Sequence, residues 1–214
     1  YLPVPEVLHA DDGLLLMEHV EAGGTMTDAA EEHAAELLAR LHAMTWHSYG
    51  AERDTVIGGL HQPNPPTARW LDFFRDHRLL FMAAEAHRAG RLPAPLLRRI
   101  ETLAGRLGEW IEEPARPALI HGDCWGGNVL VRAGRVAAFI DPALYYADPE
   151  IELAFTTLFG TFGDPFFRRY GPLRPGFWEV RRDLYNLYPL LVHVRLFGGG
   201  YVGDVERIVG RFVP

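Results

Sequence analysis

The sequence predicts an α+β chain, mostly helical, with one β-hairpin near its middle and a shorter pair of extended pieces at its start. Three observations carry that reading. Apolar residues recur at helical spacing in three long stretches, within residues 30–41, 70–84 and 96–110. Two β-rich runs, Val129-Leu130-Val131 and residues 136–140, flank the turn signal Arg132-Ala133-Gly134-Arg135. A composition that is 48% hydrophobic and 12% aromatic over 214 residues is ample for a packed core.

Taken in order, residues 7–10 and 14–20 read as short extended pieces separated by the turn signal Asp11-Asp12-Gly13, with residues 21–24 as a connector. Asp28, with Glu31 three residues on, marks a helix start, and Ala30, Ala34, Leu37, Leu38 and Leu41 carry that helix to about Met44. Pro63, Pro65 and Pro66 break the chain before an amphipathic helix with Trp70, Phe73, Phe74, Phe81 and Ala84, stopped at Gly90. Pro95 suits the first turn of the next helix, whose face is Leu96, Ile100, Leu103, Leu107 and Trp110 and which ends before Pro114. After the hairpin, Asp148-Pro149 and Asp164-Pro165 each read as an N-cap residue before a first-turn proline. A last long helix over 177–197 contains Pro189, which should kink it, and ends at Gly198, Gly199 and Gly200.

Composition also narrows function. The single cysteine, Cys124, excludes an internal disulfide and a cysteine zinc cluster, so any metal must sit on oxygen or histidine ligands. A net charge of −7 argues against a general nucleic-acid binder. No apolar run is long enough to span a membrane, and no signal pattern opens the chain, so a cytoplasmic location is expected. All 21 basic residues are arginine; there is no lysine.

The stretch IHGDCWGGNVLV, residues 120–131, concentrates the chemistry. If the hairpin turns at Ala133-Gly134, Asp141 lies opposite Gly126, and about 3.3 Å per strand residue puts Asn128 and Asp141 within reach of one cation. An asparagine and a carboxylate, completed by phosphate oxygens and water, suit a hard ion such as Mg²⁺. Asp123 sits in the loop feeding the hairpin, where a carboxylate can accept the proton of an attacking hydroxyl. Gly126 and Gly127 permit a sharp turn, and His121 is expected to brace the loop. Each residue taken alone has a local explanation as a turn or cap residue. Their joint placement at one hairpin end favours a site.

His121-Gly122-Asp123, four intervening residues, Asn128 and a strand ending in Asp141 resemble the catalytic and metal loops of the aminoglycoside and choline kinase-like group. The fuller strings HGDCWGGNVLV and IDPALYYADPEIELA, with MEHV, ELLARLHAM, ARWLDFFRDHRL and YPLLVHVRLFGGGY, are similar to the fructosamine (ketosamine) kinase family within it. The resemblance implies a protein kinase-like fold: remnant N-lobe strands and hinge over 1–20, and a helical C-lobe over 21–214. It further implies ATP and Mg²⁺ as cofactors and a free or protein-bound ketosamine as acceptor. Asp123 would be the catalytic base, Asn128 and Asp141 the magnesium ligands, and Glu18 and Val20 the adenine contacts through their backbone. Trp125 would stack on substrate, although core packing is as common a role for tryptophan. His121 and Glu152 would support the loop. Glu150 reads as a first-turn helix charge, His42 as a packed histidine rather than a ligand, and Cys124 as open to oxidation only if its thiol were activated.

One departure matters. A kinase of this type has a glycine-rich nucleotide loop and a phosphate-gripping lysine, and the sequence shows neither. Together with a first residue, Tyr1, that is not methionine, this predicts an N-terminally truncated piece with little or no turnover alone. A ketosamine kinase, implying a deglycation role, is the leading expectation. Its rivals are an aminoglycoside- or choline-type kinase, a non-catalytic kinase-like module, and a metal-dependent hydrolase. The last is weakest, because none of the ten histidines shows paired ligand spacing.

Overall fold

A computed structural model describes residues 2–11 and 13–213. Tyr1, and Asp12 from the first turn signal, lie outside the described residues. Strands β1 (Val7–Ala10) and β2 (Leu15–Met17) pair antiparallel, and Asp11 Oδ1 accepts the Gly13 and Leu14 amides, each at 2.8 Å. The second strand is shorter than the expected 14–20. Its ladder closes with the Glu18 amide on the Glu6 carbonyl at 2.9 Å.

Helix α1 (Asp28–His42) starts one residue earlier in its capping than the sequence suggested: Thr27, not Asp28, is the N-cap, accepting the Ala30 amide at 3.3 Å. Glu31 is thereby released from a local capping box and instead accepts the Gly163 amide at 2.8 Å. A hairpin that periodicity does not reveal follows, β3 (Thr55–Ile57) with β4 (Leu60–Gln62), turning through Gly58 and Gly59 at φ 53° and 78°. The single helix expected from Trp70 to Gly90 is interrupted. Helices α2 (Trp70–Phe74) and α3 (Leu80–Arg88) are joined by a π-helical turn over Arg75–Leu79, which drives Arg78 inward. Arg78 is fully buried, lies 3.8 Å from the Tyr145 ring centroid and donates to the Pro63 carbonyl at 2.7 Å.

Helix α4 (Ala94–Ala104) ends sooner than predicted, and Leu107 belongs to a separate 3₁₀ turn. Two three-residue strands, β5 (Ala118–Ile120) and β8 (Tyr145–Ala147), pair across the predicted hairpin β6 (Val129–Arg132) and β7 (Arg135–Phe139) in sequence. Helices α5 (Glu150–Leu158), α6 (Asp164–Tyr170), α7 (Arg182–Phe197) and α8 (Tyr201–Phe212) complete the chain. Neither aspartate is an N-cap: Pro149 holds that position in α5, with Asp148 just before it accepting the Glu150 amide at 3.1 Å, and Asp164 is already helical, with Glu31 accepting the Gly163 and Phe166 amides at the start of α6. A π-helical turn at Phe177–Arg181 precedes α7, which continues through Pro189. It is not the last helix: the glycines end α7, and α8 buries Val205, Ile208 and Val209 against α7 and α4.

The core is continuous, joining Leu38 of α1, Trp70, Phe73 and Phe74 of α2, Ile100 of α4, Phe139 of β7 and Leu187 and Leu191 of α7. Helix α1 packs on α6 and against β5 and β7, and α5 packs on α7, so the loop between β5 and β6 leaves a strand that α1 covers.

Candidate active site

The hairpin fixes the site's geometry. Ala133 and Gly134 take φ 49° and 72°, the left-handed pair a two-residue hairpin turn requires. Arg132 pairs with Arg135, but a bulge between Leu130 and Val131 shifts the register by one, so Val129 pairs with Phe139. The expected pairing of Asp141 with Gly126 is therefore corrected. The Asn128 carbonyl accepts the Ile140 amide at 3.1 Å, which leaves Asp141 one residue beyond Asn128's own partner. Asp141 is exposed and sits at φ 52°, a conformation that carboxylate and amide side chains tolerate better than most.

Asp123 and Asn128 touch directly. The Asn128 Nδ2 donates to the Asp123 carbonyl oxygen at 2.8 Å and to Oδ2 at 3.0 Å, committing the amide nitrogen and leaving Oδ1 for another ligand. Asp123 lines a cleft of about 750 Å³. Burial pushes its carboxyl up to about 6 from 3.8, against the Asn128 hydrogen bond and with help from the nearby Asp141 and Glu152 charges.

Behind the loop every polar group is tied. Burial holds His121 below its ordinary 6.5, so the ring is neutral near pH 7: Nε2 donates to the Ile140 carbonyl at 3.0 Å and Nδ1 accepts the Asp123 amide at 3.3 Å. The expected bracing role is what these bonds perform. Gly122 takes φ 84°, and a Cβ there would lie 2.1 Å from the Ala143 carbonyl oxygen, so only glycine fits. Buried Glu152 accepts the Gly122 amide at 2.7 Å and the His121 amide at 3.2 Å. Burial would raise Glu152, but the His42 hydrogen bond and the other donors hold it below the usual carboxylate range. His42 is thus a packed, hydrogen-bonded histidine as expected.

In front, Trp125 is 43% exposed and lies over Gly127, where a Cβ would come within 2.4 Å of the indole; nothing crowds Gly126. Gly127 is therefore the glycine that admits a bulky group, and that group is the loop's own tryptophan. Trp125 also faces the cleft, with Ile57, Phe155, Phe159, His193 and Tyr201 among its walls. Cys124 is fully buried and its thiol is pushed up, which makes it inert rather than redox-sensitive. Glu150 does more than complement a helix dipole: Arg181 donates to it at 2.6 Å and Arg174 at 2.8 Å.

Glu18 and Val20 stand apart from the cleft walls. Among the described residues neither the Glu18 carbonyl nor the Val20 amide has a backbone partner, and the chain just after them docks on β6 through the Gly24 amide and the Val131 carbonyl at 2.9 Å. Sequence reasoning missed His193, whose ring is 4.9 Å from both Phe159 and Tyr201. The only available signal was the aromatic-rich string YPLLVHVRLFGGGY.

A model of the family described as fructosamine kinase matches residues 3–213. A Synechocystis protein named a probable ketoamine kinase is 36% identical, covering 97% of this chain and 70% of its own length. An Arabidopsis chloroplastic protein-ribulosamine 3-kinase is 30% identical over 93% of this chain, which spans 61% of that relative. A crystal structure from Thermobifida fusca, solved under a fructosamine-3-kinase designation, superposes with a TM-score of 0.87 at 36% identity, covering 98% of this chain and 74% of that one. Aminoglycoside phosphotransferase APH(4)-Ia, at TM-score 0.66 and 18% identity over 98% of this chain and 78% of that one, shares the protein kinase-like fold. The chain belongs to the fructosamine kinase family.

Proposed function

We propose that this chain carries the acceptor site and catalytic loop of an ATP-dependent kinase acting on a sugar hydroxyl of ketosamines, with residues 1–20 as N-lobe strands and hinge and 21–214 as the C-lobe. The observation that carries the reading is Asp123: a carboxylate at a cleft wall, fastened by Asn128 at 3.0 Å and held on a loop braced from behind. Asp123 would accept a hydrogen bond from the acceptor hydroxyl and take its proton as the oxygen bonds to the γ-phosphorus, the bond to the ADP oxygen breaking in line.

The donor set fits magnesium in one form only. Among the described residues no group of three or more His, Cys, Asp and Glu side chains could cage a metal. Two oxygens, Asn128 Oδ1 and the Asp141 carboxylate, suit a cation that keeps waters and takes phosphate oxygens. Bound there with nucleotide, it would neutralise charge on the phosphoryl oxygens. The free Glu18 carbonyl and Val20 amide would meet the adenine edge. With no lysine to grip the phosphates, slow turnover is expected of the chain alone. Transfer of phosphate to ketosamines would mark glycated amines for repair, a deglycation role. Among the described residues no helix is long and apolar enough to cross a membrane.

The deciding experiment titrates fructosyl-lysine, ribosyl-lysine and kanamycin into the chain by calorimetry and follows phosphate transfer from labelled ATP to each. Ketosamine binding with slow transfer, and neither for kanamycin, is expected. A preference for kanamycin would overturn the acceptor assignment.

A further inference from the structure

Glu152 fastens the HGD turn, but it is itself held from a direction the loop does not explain. His42, the last residue of α1, places Nε2 2.7 Å from Glu152 Oε2, and its Nδ1 lies 2.8 Å from the Tyr170 hydroxyl at the end of α6. His42 is 7% exposed and Glu152 2%, so this pair lies almost entirely out of water. The donors run one way. Glu152 is a carboxylate and can only accept, so His42 Nε2 carries a hydrogen; in the neutral ring Tyr170 O–H donates to Nδ1, and the His121 and Gly122 amides donate to Glu152 from the other side.

We infer that His42 and Tyr170 are positioning residues for the catalytic loop, acting through Glu152. Two backbone amides leave most of a buried carboxylate's hydrogen-bonding capacity unmet. His42 supplies the missing charge-assisted donor, and Tyr170 fixes the ring's tautomer and rotation, as a carboxylate or carbonyl partner does for a metal-bound histidine. Three helices, α1, α5 and α6, thereby converge on two peptide groups, and those groups set where Asp123 faces the cleft. Tyr170 is held in turn by stacking on Phe166 at 5.9 Å and by an edge contact with the His42 ring at 5.7 Å. His42, Glu152 and Tyr170 are not among the walls of the cleft that Asp123 lines, so loss of these contacts should misplace the base without removing a cleft wall.

The test is amide hydrogen exchange across the whole chain for His42→Ala, His42→Gln and Tyr170→Phe. In His42→Ala the His121 and Gly122 amides should exchange about tenfold faster or more, with α3, α4 and α8 unchanged. His42→Gln, whose amide can still donate to Glu152, should restore most of that protection. Tyr170→Phe should give a smaller increase at the same amides. Phosphate transfer, which rests on the proposed function, should show a lower kcat with KM for both substrates within about twofold of the parent. Unchanged exchange at residues 121–122 in His42→Ala would overturn the inference. So would an equal acceleration in every helix, which is plain destabilisation. If His42→Ala fails to fold, Tyr170→Phe decides by the same criterion. Because exchange is read without turnover, an acceptor that proves wrong leaves this result standing.

Discussion

The two halves of the loop from His121 to Asn128 are built differently. At its rear, His121 and Gly122 are buried or half-buried, and each amide and ring nitrogen meets a partner on Ile140 just after β7, on α5 or on the loop itself. At its front, Trp125, Gly126 and Gly127 are exposed, and the indole rests on Gly127 with open space beside Gly126. Asp123 sits at the junction. Under the proposed function, the tied rear would fix the direction of one carboxylate, and the loosely covered front would leave room for acceptors of differing shape. Loop residues adjacent in sequence would then carry separable jobs, positioning and recognition, and substitutions are expected to split along that line.

Asp123→Asn tests the junction and should have the largest effect. The amide cannot take a proton, so turnover should fall by about 10²–10⁴, while nucleotide affinity by calorimetry stays near the parent value. Loss of both together would mean that Asp123 holds nucleotide rather than serving as base. Gly122→Ala tests the rear. Its Cβ would lie 2.1 Å from a backbone oxygen at φ 84°, so either the turn or Ala143 must move. A stability loss of about 3 kcal/mol by urea denaturation is expected, and a loss below about 1 kcal/mol would show that the rear yields.

Acid should loosen the rear before the front. His121 has its folded value below 6.5, so the unfolded chain binds a proton that the folded chain refuses. Stability is complete above 6.5 and falls as pH drops toward the folded value. Glu152, depressed below 4.5, contributes stability that is complete above 4.5 and is lost as pH falls through its lower folded value. Melting temperature should therefore lose support in two stages on acidification, the first partly offset by Asp123, whose carboxyl is raised to about 6 and so takes a proton in the folded chain before it would in the unfolded one. Replacing His121 with Asn should flatten the first stage, and an unaltered slope would remove His121 as its source.

Much of this rear wiring could not be read in the sequence. The HGD string, the hairpin turn at Ala133-Gly134 and the Asn128–Asp141 neighbourhood were legible because local spacing fixes them. The bulge was not, since Leu130 and Val131 are as strand-compatible paired straight as shifted, and it moved the partner of Asp141 by one. Strands β5 and β8 are three residues long, too short for alternation to register. The turn Gly58-Gly59 was a signal for β3 and β4 that apolar periodicity overlooked. Helix α8 was hidden because Gly203 and Gly210 lower its propensity, although Val202, Val205, Ile208, Val209 and Phe212 keep helical spacing. The His42–Glu152 bond spans 110 positions, and no local pattern encodes a contact of that kind.

At the front, Trp125→Ala should weaken ketosamine binding by about tenfold, the order expected for one aromatic face, with melting temperature nearly constant. An equal fall in stability would make Trp125 a packing residue after all. The choice is decided by comparing the two titrations, because the side chain is half exposed and yet leans on Gly127.

The smallest effect should come from Gly126→Ala, and it is the sharpest contrast with Gly122→Ala four positions earlier. A Cβ at Gly126 meets no atom within 4 Å, and the residue is not in the left-handed region, so alanine costs neither a clash nor backbone strain. It also removes conformational freedom from the unfolded chain, which favours the folded one by about 0.4–1 kcal/mol where the backbone is compatible. Urea denaturation should thus give a change between zero and a slight gain, with Asp123-dependent transfer intact. A loss approaching that of Gly122→Ala would show that the front of the loop is as tightly determined as the rear. The division of labour between positioning and recognition would then have to be abandoned.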